Sequence, residues 1–131
     1  MVFDRGFMGI KPIIWIGSTH RDLCSLLEPV KDEIGFALHQ AQIGEKSDKA
    51  KPFKGFRGAS VLEIIERSIG ETYRAVYTVK FEKAIAVLHV FQKKSKRGIE
   101  TPKQDVDLIN SRFKLAEEEY KQWLCSQGKK S

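Results

Sequence analysis

Apolar positions recur along this chain with two spacings, one typical of strands and one typical of helices. Residues 11–17 (KPIIWIG) form a short apolar run that ends in glycine, which predicts a strand. Residues 22–43 carry apolar side chains at the three-to-four spacing of one helical face. Pro29 interrupts this stretch, so we expect two helices or one kinked helix, because proline removes a backbone donor and clashes with the preceding turn.

Three further strands are predicted in the middle of the chain, at residues 61–67, 71–80 and 84–92. The second alternates between two faces, and the third is apolar on both faces, as a central strand covered on both sides would be. The gaps at residues 68–70 and 81–83 are short enough for hairpin turns. These three strands therefore predict an antiparallel meander.

A last helix is predicted to begin at Thr101 as N-cap, with Pro102 in its first position. Its apolar stripe continues to about residue 124 through Val106, Ile109, Phe113, Ala116, Tyr120, Trp123 and Leu124. The predicted order is β-α-α-β-β-β-α, and the segregation of helices from strands indicates the α+β class. We expect one domain over residues 1–131, with a core at about 11–124 and polar tails.

Charge changes this picture, because it is unevenly distributed. The chain has 131 residues and a net charge of +6, and residues 46–58 and 93–103 each carry a net charge of +4, which leaves −2 on the rest. Two basic segments on a mildly acidic body indicate a surface for a polyanion, although a pair of solvated loops is the simpler alternative. Phe53 and Phe56 lie in the first segment, predicted to be a loop over residues 46–60, and we expect them to pin it to the body rather than to stack on bases.

Several classes of site are excluded by the motifs. The three histidines are far apart and lack neighbouring ligands at metal-binding spacing, so no metal site is predicted. The chain has no P-loop, no GxGxxG and no GxSxG motif, and we expect no cofactor. Cys24 and Cys125 are interpreted as reduced thiols. We see no signal peptide and no apolar run of membrane-spanning length, so we expect a cytoplasmic protein.

The remaining candidates for chemistry are cations. Those that follow the most apolar strand are held by a rigid element: Lys93, Lys94, Lys96 and Arg97. Arg74 lies in mid-strand on the face opposite two tyrosines, where arginine usually meets solvent, a partner or an anion. Its guanidinium matches phosphate geometry, and the alternative is a solvent-facing or salt-bridged sheet residue.

The chain also resembles the phage-derived, HigB-like branch of the RelE/ParE toxin superfamily. The stretches that carry this resemblance are TYRAVYTVKF at 72–81, AVLHVFQKKSKRG at 86–98, TPKQDVDLINSRF at 101–113 and KPFKGFRG at 51–58. It implies a RelE-like fold, in which an N-terminal helical hairpin packs on a small antiparallel sheet with a C-terminal helix beside it. It also implies a type II toxin that cleaves mRNA on the ribosome and is neutralised by a cognate antitoxin, commonly a helix-turn-helix protein.

The resemblance also implies site residues. Arg74 matches the arginine of the Tyr-Arg element, and the basic cluster of the family is matched by Lys93, Lys94 and Lys96. We expect RNA contacts from Lys54, Arg57, Phe91, Arg97 and Arg112. The sequence departs from the pattern at Ile65, where some members carry an arginine, which leaves one cation fewer on the sheet.

The implied reaction is attack of the ribose 2′-OH on the adjacent phosphate, which requires in-line orientation and charge stabilisation. A lysine crowded by cations, Lys93 or Lys94, could act as the base, with His89 and then Tyr77 as weaker choices. We expect Arg74→Ala and Lys94→Ala to relieve growth inhibition and leave the fold intact. The alternative function is a non-nuclease basic binding protein of the same superfamily, either gyrase-directed or an inactive toxin acting as co-repressor.

Overall fold

A mixed β-sheet forms the middle layer of the fold in the computed structural model, which describes residues 10–56, 58–93 and 101–128. The elements are β1 (Ile13–Trp15), α1 (Thr19–Cys24), α2 (Glu28–Gln42), β2 (Ala50–Pro52), β3 (Val61–Ser68), β4 (Glu71–Thr78), β5 (Ile85–Lys93) and α3 (Lys103–Gly128). The five strands lie in the order β1-β5-β4-β3-β2. The α+β class is confirmed.

The predicted meander is confirmed, since β3, β4 and β5 pair antiparallel in chain order. The turn between β3 and β4 consists of Ile69 and Gly70, both with positive φ, at 52° and 74°. Two-residue hairpin turns with positive φ match the twist of the flanking strands. Glycine takes this conformation readily, whereas a β-branched side chain such as that of Ile69 is strained in it.

The sheet is mixed rather than antiparallel, and it contains one strand that the sequence pattern did not reveal. β1 pairs parallel with β5 at one edge. β2 lies within the predicted loop of residues 46–60 and pairs antiparallel with β3 at the other edge. Both strands have three residues, and three residues are too few to show an alternating pattern.

Helices cover both faces of the sheet. Val30, Ile34 and Leu38 of α2 pack with Tyr77 and other buried residues on one face. On the opposite face, Ile109, Phe113 and Ala116 of α3 form a second buried cluster with the sheet, as their periodic spacing predicts. β5 contributes to both clusters, so the prediction that it is covered on both sides is confirmed.

The predicted break near Pro29 separates two helices. α1 ends at Cys24, and α2 begins with Glu28, so that Pro29 lies in the first turn of α2. Proline is tolerated there because the backbone N–H groups of a first turn have no partner within the helix. Cys24 and Cys125 are both exposed free thiols. Within the part of the chain that the structure describes, no helix has both the length and the apolar character needed to cross a membrane.

Candidate functional site

Strand register brings polar side chains into one row on the face of the sheet that α3 covers. Lys51 of β2 pairs with Glu63 of β3, which in turn pairs with Val76 of β4. Val76 also pairs with His89 of β5. Directly paired residues project from the same face, and Val76 packs in the α3-side cluster. The row therefore holds a lysine, a carboxylate and an imidazole on the α3 side of the sheet.

The neighbouring row contains Arg74, which pairs across the strands with Ile65 and Phe91. Arg74 Nη1 donates a hydrogen bond to Glu63 Oε2 at 2.9 Å, and the two side chains are only 2% and 6% exposed. Arg74 is therefore a salt-bridged residue of the sheet, which was one of the alternatives left open by the sequence. Because an uncompensated charge is costly at such burial, the pair fixes the position of both groups.

His89 forms the second acid–base contact of the face, with a buried imidazole and a partly exposed carboxylate. Its Nε2 lies 2.7 Å from Oδ1 of Asp105, in the first turn of α3, and its ring stacks on Phe91 with centroids 4.3 Å apart. Burial lowers the pKa of His89, and its hydrogen bond to the Asp105 carboxylate opposes that effect. Among the described residues, none forms a hydrogen bond with its Nδ1. In a neutral ring whose Nε2 donates to Asp105, Nδ1 is the unprotonated nitrogen.

A cleft of about 320 Å³ opens beside Glu63, one member of these pairs. Its described lining consists of Lys51, Phe53, Lys54, Gly55, Glu63, Thr101 and Val106. The two lysines come from the basic segment 46–58, whereas Thr101 belongs to the segment 93–103. The first basic segment therefore supplies two lysines to the cleft, next to the buried carboxylate of Glu63, and the described part of the second segment contributes Thr101.

Not every lysine of the first basic segment faces this cleft. Lys49 Nζ lies 2.6 Å from Glu66 Oε2 and 3.0 Å from Glu33 Oε2, and these hydrogen bonds raise the pKa of Lys49. Lys46 lines a different cavity, near the end of α2. Lys51 and Lys54 are exposed, so of the described lysines in this segment these two supply charge to the cleft.

The structure locates only part of the predicted site. Arg74, His89 and Phe91 lie together on the α3 face, and Lys54 lines the cleft. Lys93 is the last residue of β5 and pairs with Thr72. Four predicted residues lie outside the described residues: Arg57, Lys94, Lys96 and Arg97.

Two of the predicted residues make contacts inside the protein. Arg112 Nη1 donates to the carbonyl oxygen of Leu88 at 3.0 Å. Tyr77 is fully buried in the cluster on the opposite face, where burial raises its pKa to about 12. Tyr77 is therefore separated from the cleft by the sheet.

The two phenylalanines of the first basic segment anchor it to the body of the protein, as predicted. Phe53 is buried, and the centroid of the Phe56 ring lies 4.5 Å from that of Phe113.

Glu63 and Asp105 are functional candidates that the sequence reasoning missed. A signal existed for Glu63, since it is a carboxylate inside the apolar run VLEII. Asp105 resembles an ordinary acid in the first turn of a helix, and only the fold shows that it faces His89. Among the residues that the structure describes, no group of three or more His, Cys, Asp and Glu could hold a metal ion.

Comparison with known proteins identifies a family. The model of the family described as phage-derived protein Gp49-like (DUF891) matches residues 21–114, which include α2, the β3–β5 meander, both acid–base pairs and all of the described cleft lining. No match was found among curated proteins or among solved structures. The family is associated with toxins of toxin–antitoxin systems. Since the match spans well over half of the 131 residues, the chain belongs to the phage-derived Gp49-like family.

Proposed function

We propose that this protein is the toxin of a type II toxin–antitoxin system and cleaves mRNA on the ribosome, as a RelE-like, HigB-type member of the RelE/ParE superfamily. The observation that carries the proposal is a cleft lined by the exposed Lys51 and Lys54, on the same side of the sheet as the Arg74–Glu63 and His89–Asp105 pairs. Membership of a family associated with such toxins supports it.

The charge distribution around the cleft suits an RNA backbone. Lys51 and Lys54 are exposed at the cleft and can approach phosphates. Lys93, Lys94 and Lys96 are the further cations that the sequence leads us to expect in RNA binding. Phosphate contacts of this kind supply affinity and register, and they carry little sequence information.

The reaction would be metal-free transesterification within RNA. The 2′-oxygen attacks the phosphorus and the P–O5′ bond breaks, which leaves a 2′,3′-cyclic phosphate and a 5′-hydroxyl. A base must take the 2′-OH proton, an acid must protonate the leaving oxygen, and cations must stabilise the phosphorane-like transition state. His89 with Asp105, and Glu63 with Arg74, are the described acid–base groups nearest to these tasks, and the lysines of both segments are the cations.

Brief induction in cells, followed by growth measurement and primer extension on several mRNAs, tests the proposal. We expect growth arrest with discrete cleavage sites in translated regions, and loss of both effects for Asp105→Asn. Asp32→Asn is the matched control, because Asp32 is an exposed carboxylate of α2 on the other side of the molecule. Intact mRNA at all levels of expression would refute the nuclease.

The cell can tolerate such a toxin only with an inhibitor, so a cognate antitoxin, for which we expect a helix-turn-helix protein, belongs to the proposal. The antitoxin would cover the basic cleft with carboxylates, or its size would prevent the toxin from entering the ribosome. Co-expression with the adjacent reading frame should restore growth and yield a complex on purification. Failure of every adjacent gene product to bind or to restore growth would count against a toxin–antitoxin system.

One observation favours the alternative of a non-nuclease binding protein. Glu63 offsets the charge of Arg74, and Ile65, directly opposite Arg74, stands where some relatives carry arginine. Arg74 then contributes little uncompensated cationic charge for a transition state. Growth arrest with intact mRNA would indicate a gyrase-directed protein, and no arrest with retained antitoxin binding would indicate a co-repressor.

A further inference from the structure

A break in the alternation of β5 determines which way His89 points. Val76 pairs with His89 while the next residue of β4, Tyr77, pairs with Val87, so Leu88 is an extra residue in the ladder. Leu88 packs in the α3-side cluster and His89 bonds to Asp105 of α3, so two consecutive residues project to the same face. In a regular strand they would project to opposite faces. The bulge therefore turns His89 towards α3.

Arg112 binds the bulge directly. Its Nη1 donates a hydrogen bond of 3.0 Å to the carbonyl oxygen of Leu88, the extra residue itself. The guanidinium lies so close to Gly17 that a Cβ atom there would be 2.9 Å from Arg112 Nη2. Gly17 has a φ of 59°, so glycine satisfies both the backbone conformation and the close approach. Arg112 thus occupies a fitted site between the β1–α1 turn and β5.

The two contacts between α3 and the bulge involve adjacent residues of β5. Arg112 binds Leu88, and Asp105, about two helical turns earlier, binds His89. A bulged strand without support can return to regular pairing, and that would turn His89 to the other face. Arg112 supplies the support on the side of Leu88, and its sequence position gives no indication of this role.

We propose that Arg112 is a positioning residue, which holds the bulge at Leu88 so that the His89 imidazole meets Asp105 on the face that carries the candidate site. A catalytic consequence rests on the proposed nuclease function, but the geometric one does not. The competing role is a phosphate contact, which the sequence analysis expected for Arg112. The two roles make opposite demands, because a phosphate contact needs a guanidinium that can leave Leu88 for RNA.

NMR of the isolated protein tests the geometric part without any assay of activity. In the native protein, we expect a slowly exchanging His89 Nε2–H resonance, since this atom is buried against Asp105. Arg112→Ala should abolish that resonance and shift the His89 ring signals, whereas Arg112→Lys, which keeps a donor, should retain them in part. Arg21→Ala is the matched control, because its side chain is 82% exposed and its loss removes the same charge.

Gly17→Ala provides a second variant in case Arg112→Ala does not fold. The added methyl group would displace the guanidinium from Leu88 and leave the net charge unchanged, so the same loss of the His89 resonance is expected. Unchanged His89 signals in a folded Arg112→Ala variant, or in Gly17→Ala if only that variant folds, would overturn the proposal.

Kinetics then separate positioning from RNA contact. If the protein cleaves RNA, Arg112→Ala should lower kcat by about 10²-fold, as a misplaced catalytic group does, with KM and the salt dependence of binding unchanged. A phosphate contact predicts instead weaker binding and a salt slope smaller by about 1, and that result would overturn the positioning role. Absence of cleavage by the native protein would refute the proposed function, and the NMR experiment would still decide the role of Arg112.

Discussion

Replacing Arg74 with alanine should cost the protein much of its stability, because it leaves a buried carboxylate without its partner. The Arg74 and Glu63 side chains are 2% and 6% exposed, and their charged atoms lie 2.9 Å apart. Breaking a buried pair from one side typically costs about 3–5 kcal/mol. For a chain of 131 residues this corresponds to a fall in Tm of roughly 10–20 °C. The sequence-based expectation that Arg74→Ala leaves the fold intact is therefore replaced by one of strong destabilisation.

A double variant separates the charge from the packing. Arg74→Met combined with Glu63→Leu removes both charges and keeps most of the volume, and such replacements are often neutral or stabilising. Urea unfolding followed by the fluorescence of the buried Trp15 measures the free energy of each variant, and an unchanged m value shows that the same transition is observed. We expect the double variant to recover most of the loss seen in Arg74→Ala.

The exposed Lys80–Glu117 pair provides the matched control. Its atoms are closer, at 2.6 Å, but its side chains are 47% and 42% exposed, so Glu117→Ala should cost less than about 1 kcal/mol. The reasoning from burial is wrong if Arg74→Ala lowers the free energy of unfolding no more than this control does and if the effects of the Arg74 and Glu63 substitutions are additive. A folded double variant that still arrests growth would show that Arg74 has a structural role. A folded double variant that no longer arrests growth would favour a role of the pair in the reaction.

Three other properties should follow from the described contacts. RNA binding should weaken steeply with salt, and Lys51→Ala or Lys54→Ala should each reduce the slope of log Kd against log salt concentration by about 1. Burial lowers the pKa of His89, so the unfolded chain binds more protons between that lowered pKa and about 6.5. The free energy of unfolding should therefore fall as the pH drops below about 6.5. Urea unfolding at several pH values measures this dependence. His89→Gln should weaken the dependence, whereas His39→Gln, at an exposed histidine, should leave it unchanged. Ile69→Asn should raise the free energy of unfolding by about 1 kcal/mol, since Ile69 has a φ of 52° and is 85% exposed; an unchanged or lower urea midpoint would contradict this.

Local patterns predicted the elements whose period extends over many residues. The alternation in β4, the apolar stripe of α3 and the break at Pro29 all involve neighbours along the chain, and each was confirmed. The parallel pairing of β1 with β5 joins residues about seventy positions apart, and nothing local in three residues specifies it. β2 contains Pro52 and was hidden in a basic loop for the same reason.

The candidate site shows the same limit more sharply. Arg74 and His89 were visible as unusual residues in strands, but their partners were not, because Glu63 and Asp105 meet them only through strand register and helix packing. A charged residue inside a strand can therefore bind a ligand, or it can pair with an opposite charge that the fold provides. Arg74 pairs with Glu63, an opposite charge of the same protein.

These partners also suggest a division of labour between the paired groups and the exposed lysines. Glu63 offsets the charge of Arg74, and Asp105 lies against His89, so these two pairs add little net positive charge to the cleft. A polyanion would therefore be attracted mainly by exposed lysines such as Lys51 of β2 and Lys54, whose positions suit them for affinity and not for precise geometry. Precision would come from the buried pairs, which are costly to disturb. Variants of the lysines should then change binding and its salt dependence, and variants of the pairs should change turnover or folding, so a single residue that changed all of these together would argue against the division.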